Sequence, residues 1–177
     1  LWGSSFIAMK YAVSGFEPEV AMFFRMLVTL ASCMVLWRWV KQFEYQKGDW
    51  KPLLIMSLSE PCLYFLLEGH AMQYTSASQA GVLVACLPLM VAVIAYLALG
   101  ERASRHTFIG FTTCIIGSII LTVASPADDH APNPVLGNSL EALAMLCAAV
   151  YTISVKYLST RYSPLSLIGL QGLSGTL

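Results

Sequence analysis

The 177 residues carry ten Lys and Arg against ten Asp and Glu, a formal net charge of zero, and charged residues make up only 11% of a chain that is 57% hydrophobic. Soluble domains typically hold about 25% charged residues, so composition points to a lipid-embedded chain. The charge balance offers no basic surface for nucleic acid. The five cysteines (33, 62, 86, 114 and 147) all fall inside apolar runs rather than in connecting loops. They read as small helix-packing residues, not as a disulfide framework or a zinc site.

Clusters of Gly, Pro and charge punctuate the sequence into seven apolar segments, near 1–14, 19–40, 52–72, 79–99, 107–125, 138–158 and 164–177. The first and last read as truncated. The windows 79–99 and 107–125 contain no charge, and each approaches the roughly 20 residues needed to span about 30 Å of hydrocarbon. The short connections make neighbouring spans antiparallel. Basic residues sit at alternate connections: Arg38, Lys41, Lys47 and Lys51 at the second, Arg102 and Arg105 at the fourth, Arg161 at the sixth, and none at the first, third or fifth. The positive-inside bias puts the even loops in the cytoplasm and the acidic 126–130 stretch outside.

The first segment carries Lys10, against the outer end of its span, where snorkelling accounts for it. The second carries Arg25, about 10 Å from its outer end by helix rise. Its planar fork suits a carboxylate, either Glu68 or one on a substrate. In the third, "SLSEPCLYFLLEGHAMQY" sets Glu60, Glu68 and His70 among apolar residues. Counting from Pro52, Glu60 lies about 12 Å and Glu68 about 24 Å into the span. Positions 60, 64 and 68 follow i,i+4 spacing, so Glu60, Tyr64 and Glu68 form a stripe that can face a cavity. Pro61 removes a backbone donor and opens the helix beside Glu60. Ionisable groups inside a membrane are costly and commonly lie on ion or substrate paths. His70, without ligand spacing around it, reads as an interfacial polar residue.

Pro88 divides the fourth segment into half-helices, which fits either a binding-site interruption or a packing kink. Gly110, Cys114, Gly117 and Ser118 give the fifth a small face suited to close packing. Trp37, Trp39 and Trp50 read as interfacial anchors, and Trp2 as a residue that can line the cavity. Lys156 lies near the cytoplasmic end of the sixth segment.

The sixth segment echoes the first. "IAMKY" followed by Pro18 matches "ISVKY" followed by Pro164 at a constant offset of 146 positions, which also pairs Leu27 with Leu173. Five spans lie within that offset, so the second copy enters the membrane in the opposite orientation. Such an inverted repeat is found in many secondary transporters. A receptor reading of the seven segments does not predict it.

Three further stretches in chain order carry a resemblance: "WGSSFIAMKYAV" with "FFRMLVT", then "AMQYTSASQAGVLVACLPLMVAVIAYLALGER", then "GFTTCIIGSIILT". Over residues 2–123 the chain resembles the EamA family of the drug/metabolite transporter superfamily. The resemblance implies an all-α integral membrane protein, a multi-span bundle of inverted five-helix repeats. It implies a first repeat over 1–125, an extracytoplasmic linker over 126–137 and the start of a second repeat over 138–177, the chain being a fragment of a ten-span protein. It further implies outward movement of small organic solutes, metabolites or amino acids, through a central cavity between the repeats, without naming the substrate.

The expected location is the plasma membrane, or the inner membrane of a Gram-negative cell. The expected partners are a small-molecule substrate and the lipid bilayer, with no nucleic acid and no cofactor; homo-oligomer formation is left open. No nucleotide-binding loop is present, so transport would draw on gradients. The alternatives are a non-transporting membrane scaffold and an intramembrane serine protease. "GLSG" at 172–175 resembles the nucleophile motif of rhomboid proteases, with Ser174 needing a histidine base from a later helix.

Overall fold

A computed structural model describes residues 2–35, 45–102, 104–127 and 131–175, with the side chains of 2–5 outside the description. Its elements are helices, α1 (Trp2–Gly15), α2 (Pro18–Val35), α3 (Trp50–Ser57), α4 (Tyr64–Tyr74), α5 (Ala77–Val84), α6 (Leu87–Leu99), α7 (Arg105–Ala124), α8 (Pro134–Leu158) and α9 (Pro164–Ser174), with a kinked stretch (Leu58–Leu63) between α3 and α4. Among the described residues, four stretches are long and apolar enough to cross a membrane: Pro18–Val35, Ala77–Leu99, Arg105–Ala124 and Pro134–Leu158.

Local chemistry sets the ends. Ser76, Ser104 and Ser163 accept from the backbone N–H three residues on, capping α5, α7 and α9. Asn133 does the same for α8 through the Leu136 N–H at 3.2 Å, with Pro134 in the first turn. That cap starts α8 one turn earlier than the sequence reading at 138. The third segment is not one helix but two, parted where Glu60 adopts φ −145°, ψ 123°. The fourth is also parted, between Val84 and Leu87.

The bundle is built around α8, whose largest contact is with α4 and which also meets α3, α5, α6 and α7. Ala144, Ala148 and Ala149 on α8 are buried, and their small side chains admit close approach where dispersion rather than the hydrophobic effect drives association. Met22, Met26, Phe65, Met72 and Met145 fill the space between. Close contact requires glycine at positions 69 and 137, as it does at Gly175 against Met26 and Pro61. A Cβ on Gly69 would stand 2.9 Å from Pro18 Cβ, and one on Gly137 would stand 2.7 Å from Thr75 N. By contrast α7 buries none of its residues and exposes Ile115, Ile116, Ile119 and Ile120. Its small face packs only in part: Gly110 lies against Leu89, whereas nothing lies within 4 Å of a Cβ on Gly117.

The two ends of the bundle are tied separately. At one, Arg161 reaches Asp49 at 2.6 Å, Tyr162 joins Asp49 at 3.2 Å, and Lys156 pairs with Glu101 at 2.5 Å. These contacts gather the second, fourth and sixth connections. Asp49 also pushes the Arg161 guanidinium further up from its ordinary range. Trp50 stands at this end under Lys51, while Trp37 and Trp39 lie outside the described residues.

At the other end Asn133 N–H donates to the Tyr74 carbonyl at 3.3 Å. Asn138 is held by Thr75 (2.6 Å), Gln79 (2.8 Å) and Thr122 (3.0 Å). Lys10 does not simply snorkel: its ammonium donates to the Met72 and Thr75 carbonyls at 2.5 and 2.7 Å, closing the C-terminus of α4. His70 lies 3.4 Å from Glu19. The cysteines depart from the packing-only reading, since Cys86 and Cys114 are joined as a disulfide, leaving Cys33, Cys62 and Cys147 free.

Candidate functional site

A cavity of about 300 Å³ lies inside the bundle, with Arg25 of α2, Glu60 at the helix break, and Tyr64, Phe65 and Glu68 of α4 on its wall. Phe6, Leu87 and the α8 residues Ala148, Tyr151 and Thr152 complete it. Four of the six residues singled out from sequence, Arg25, Glu60, Tyr64 and Glu68, are therefore brought together. Pro88 lines a neighbouring groove instead, one that shares Leu87 and Thr152 with this cavity. Trp2 begins α1, and its side chain lies outside the described residues.

The break explains how so short a stretch supplies so much of the wall. Pro61 lacks a backbone donor, and Glu60 leaves helical geometry for extended backbone. The stripe expected from i,i+4 spacing thus survives as Tyr64 and Glu68, while Glu60 reaches the same cavity from the non-helical turn.

Glu68 is 3% exposed and held on both oxygens. The Tyr64 hydroxyl donates to Oε1 at 2.8 Å, and Arg25 Nη1 stands 3.5 Å from Oε2. Arg25 also lies 4.0 Å above the Phe65 ring, a cation–π contact that fixes the guanidinium against the cavity wall. Of the two partners left open for Arg25 by the sequence, the structure places Glu68. Glu60 forms no ion pair among the described residues, its electrostatic neighbours being Arg25, Glu68 and Gln171. Gln171 in turn accepts from Tyr151 at 3.3 Å, linking α9 to the cavity.

Two participants were missed by sequence reasoning. Gln171 carried no motif and sits in the last, short segment. Glu141 on α8 is fully buried, and neither carboxylate oxygen has a hydrogen-bond partner among the described residues. The i,i+4 stripe Glu141, Met145, with Ala148 and Thr152 beyond it, runs down α8 into the cavity wall; that spacing was the available signal.

The arrangement offers a compact space with acidic and basic groups, aromatic faces and an opened backbone, inside helices otherwise apolar. No cluster of three or more His, Cys, Asp or Glu suited to a metal occurs among the described residues.

The model of the EamA-like transporter family matches residues 1–123. The chain is 25% identical to the uncharacterized transporter YetK of Bacillus subtilis (strain 168), over 99% of this chain and 54% of that protein. It is 27% identical to the uncharacterized transporter YcxC of the same organism, over 90% of this chain and 51% of that protein. An uncharacterized transporter of Archaeoglobus fulgidus is 22% identical over 94% of this chain and 57% of its own length. The chain thus spans about half the length of the curated relatives it matches. No solved structure matches it. With its apolar helices and a family match over more than half its length, the chain is an integral membrane protein and belongs to the EamA-like transporter family.

Proposed function

We propose that this chain forms part of a secondary transporter that carries small organic solutes, of metabolite or amino-acid type, outward across the plasma membrane, the inner membrane if the cell is Gram-negative. One observation carries the reading: the break of the third span at Glu60 coincides with a cavity of about 300 Å³ walled by Arg25, Glu60, Tyr64 and Glu68. Broken helices lining a midplane cavity are the means by which transporters present polar groups to a solute, and the volume suits a small ligand. In this reading Glu60, the cavity carboxylate without an ion pair among the described residues, meets the solute. Arg25 and Glu68 form the fixed pair behind it, and Tyr64 orients Glu68. The even connections face the cytoplasm.

The Ser174 hydroxyl donates to the Gln171 carbonyl at 3.1 Å, so no observation favours the protease alternative. The test is a solute screen with the full-length protein in proteoliposomes, with and without a pH gradient, followed by Glu60→Gln on whichever solute moves. Loss of a hydrogen bond to a charged group, about 1.5–3 kcal/mol, predicts an initial rate lowered about ten- to hundredfold. Wild-type rates in Glu60→Gln would reduce the residue to a structural role.

A further inference from the structure

Two carboxylates lie in the contact between α4 and α8, and their surroundings differ. Glu68 has the Tyr64 hydroxyl on one oxygen and the Arg25 guanidinium near the other, so its negative charge is compensated. Glu141 has neither donor nor cation on either oxygen among the described residues, and its surface is wholly covered. Glu68, an ionisable group that acts on it, is of like charge. We propose that Glu141 is a proton-binding site: with α4 and α8 packed as they are here its carboxyl holds a proton, and it releases that proton when the two helices part enough for water or a cation to reach it.

The chemistry is a single balanced step, carboxylate plus proton giving the acid, with the proton exchanged with water at the opened contact. An ionised, unpaired carboxylate in this contact would carry the full cost of a buried charge, whereas the neutral acid carries only that of an unpaired polar group. Two neighbouring carboxylates in unlike settings divide into one charged and one neutral member.

Among the described residues, the other elements packed on α8 do not offer an alternative counter-charge; Lys51 of α3 stands over Trp50 at the opposite end of the bundle. From α4 the facing groups are Glu68 and Tyr64. Arg25 of α2 stands against Glu68, and Lys10 of α1 is bound to the Met72 and Thr75 carbonyls. The stretches α5 and α6 contain no Asp, Glu, Lys, Arg or His, and α7 has only Arg105 and His106, both in its first turn at the opposite end of the bundle. Glu60 and, in the connections, Asp49 lie further along toward that same end.

The proton site stands without the solute-transport reading; only its use in driving solute movement rests on it. Infrared difference spectroscopy of the purified full-length protein in lipid reads the site directly, so a failed solute screen leaves the result intact. At neutral pH the wild type is expected to show a protonated-carboxyl band that Glu141→Gln removes, that Glu141→Asp displaces in frequency, and that Glu68→Gln leaves in place. Gln imitates the neutral acid in size and dipole, so this variant is expected to fold; should it not, the Asp displacement decides alone. A spectrum unchanged by Glu141→Gln or Glu141→Asp, or a band removed by Glu68→Gln instead, overturns the assignment.

Discussion

The third and fourth spans are both interrupted close to a proline, yet only one interruption leaves helical geometry. At Glu60 the backbone turns fully extended, with Pro61 following at once. At the other, Ala85 (φ −61°, ψ −19°) and Cys86 (φ −78°, ψ −15°) stay in the right-handed helical region, and the Leu89 and Met90 N–H groups both donate to Cys86 O. Their surroundings differ in the same sense. The first break opens onto Arg25, Tyr64 and Glu68. The second lies among Cys86, Ser118, Thr122 and Asn138, uncharged groups whose hydrogen bonds are met inside the bundle. A proline in a membrane span is therefore a poor marker of a site by itself. What distinguishes the two is an ionisable residue at the point where the ladder of backbone bonds is lost.

The comparison breaks most sharply at Pro61. Proline inside a helix costs about 3 kcal/mol, so Pro61→Ala is expected to favour a continuous third span, drawing Glu60 up onto the Tyr64–Glu68 stripe and closing the opened backbone. An initial transport rate lowered at least about tenfold, with a gain in helical circular dichroism at matched protein, is the expected pair of readouts. Higher helicity at an unchanged rate would mean that the break is incidental to function.

Near the second break the expected loss is of stability rather than rate. Asn138 is 3% exposed and bonded to Thr75, Gln79 and Thr122, tying the start of α8 to α5 and α7. Asn138→Ala strands buried partners at about 1–3 kcal/mol, to be read as a lower unfolding midpoint in detergent. A midpoint equal to wild type would show that the network has alternatives.

Much of this was legible from the residues. Period and punctuation give the segments, and the alternation of basic loops anticipates which connections meet: Asp49 with Arg161, Glu101 with Lys156. The i,i+4 rule finds Tyr64 and Glu68 on one face, and charge complementarity finds Arg25. Glu141 was passed over, despite its spacing, for a specific reason. A sixth span starting at 138 leaves it in the first helical turn, where an acid is commonplace beside the positive end of the helix dipole. The Asn133 cap and Pro134 begin the helix earlier and carry Glu141 about 10 Å into the span by helix rise. The Cys86–Cys114 bond was beyond reach because it depends on how α7 packs across the second break, which no local spacing encodes.

The smallest effect is expected at Pro88, and it completes the comparison. Pro88 is the second residue of α6, in the first turn, where backbone N–H groups have no partner within the helix in any case. Replacing it with alanine returns a donor but closes no gap of the kind found at Glu60, since Ala85 and Cys86 already have helical angles. Its side chain is exposed and lines the groove beside the cavity rather than the cavity itself. Pro88→Ala should therefore keep the transport rate within about threefold, equivalent to under about 1 kcal/mol, measured in parallel with Pro61→Ala on the same solute. Equal losses in the two variants would mean that both interruptions serve the transport path and that the ionisable residue is not what separates them.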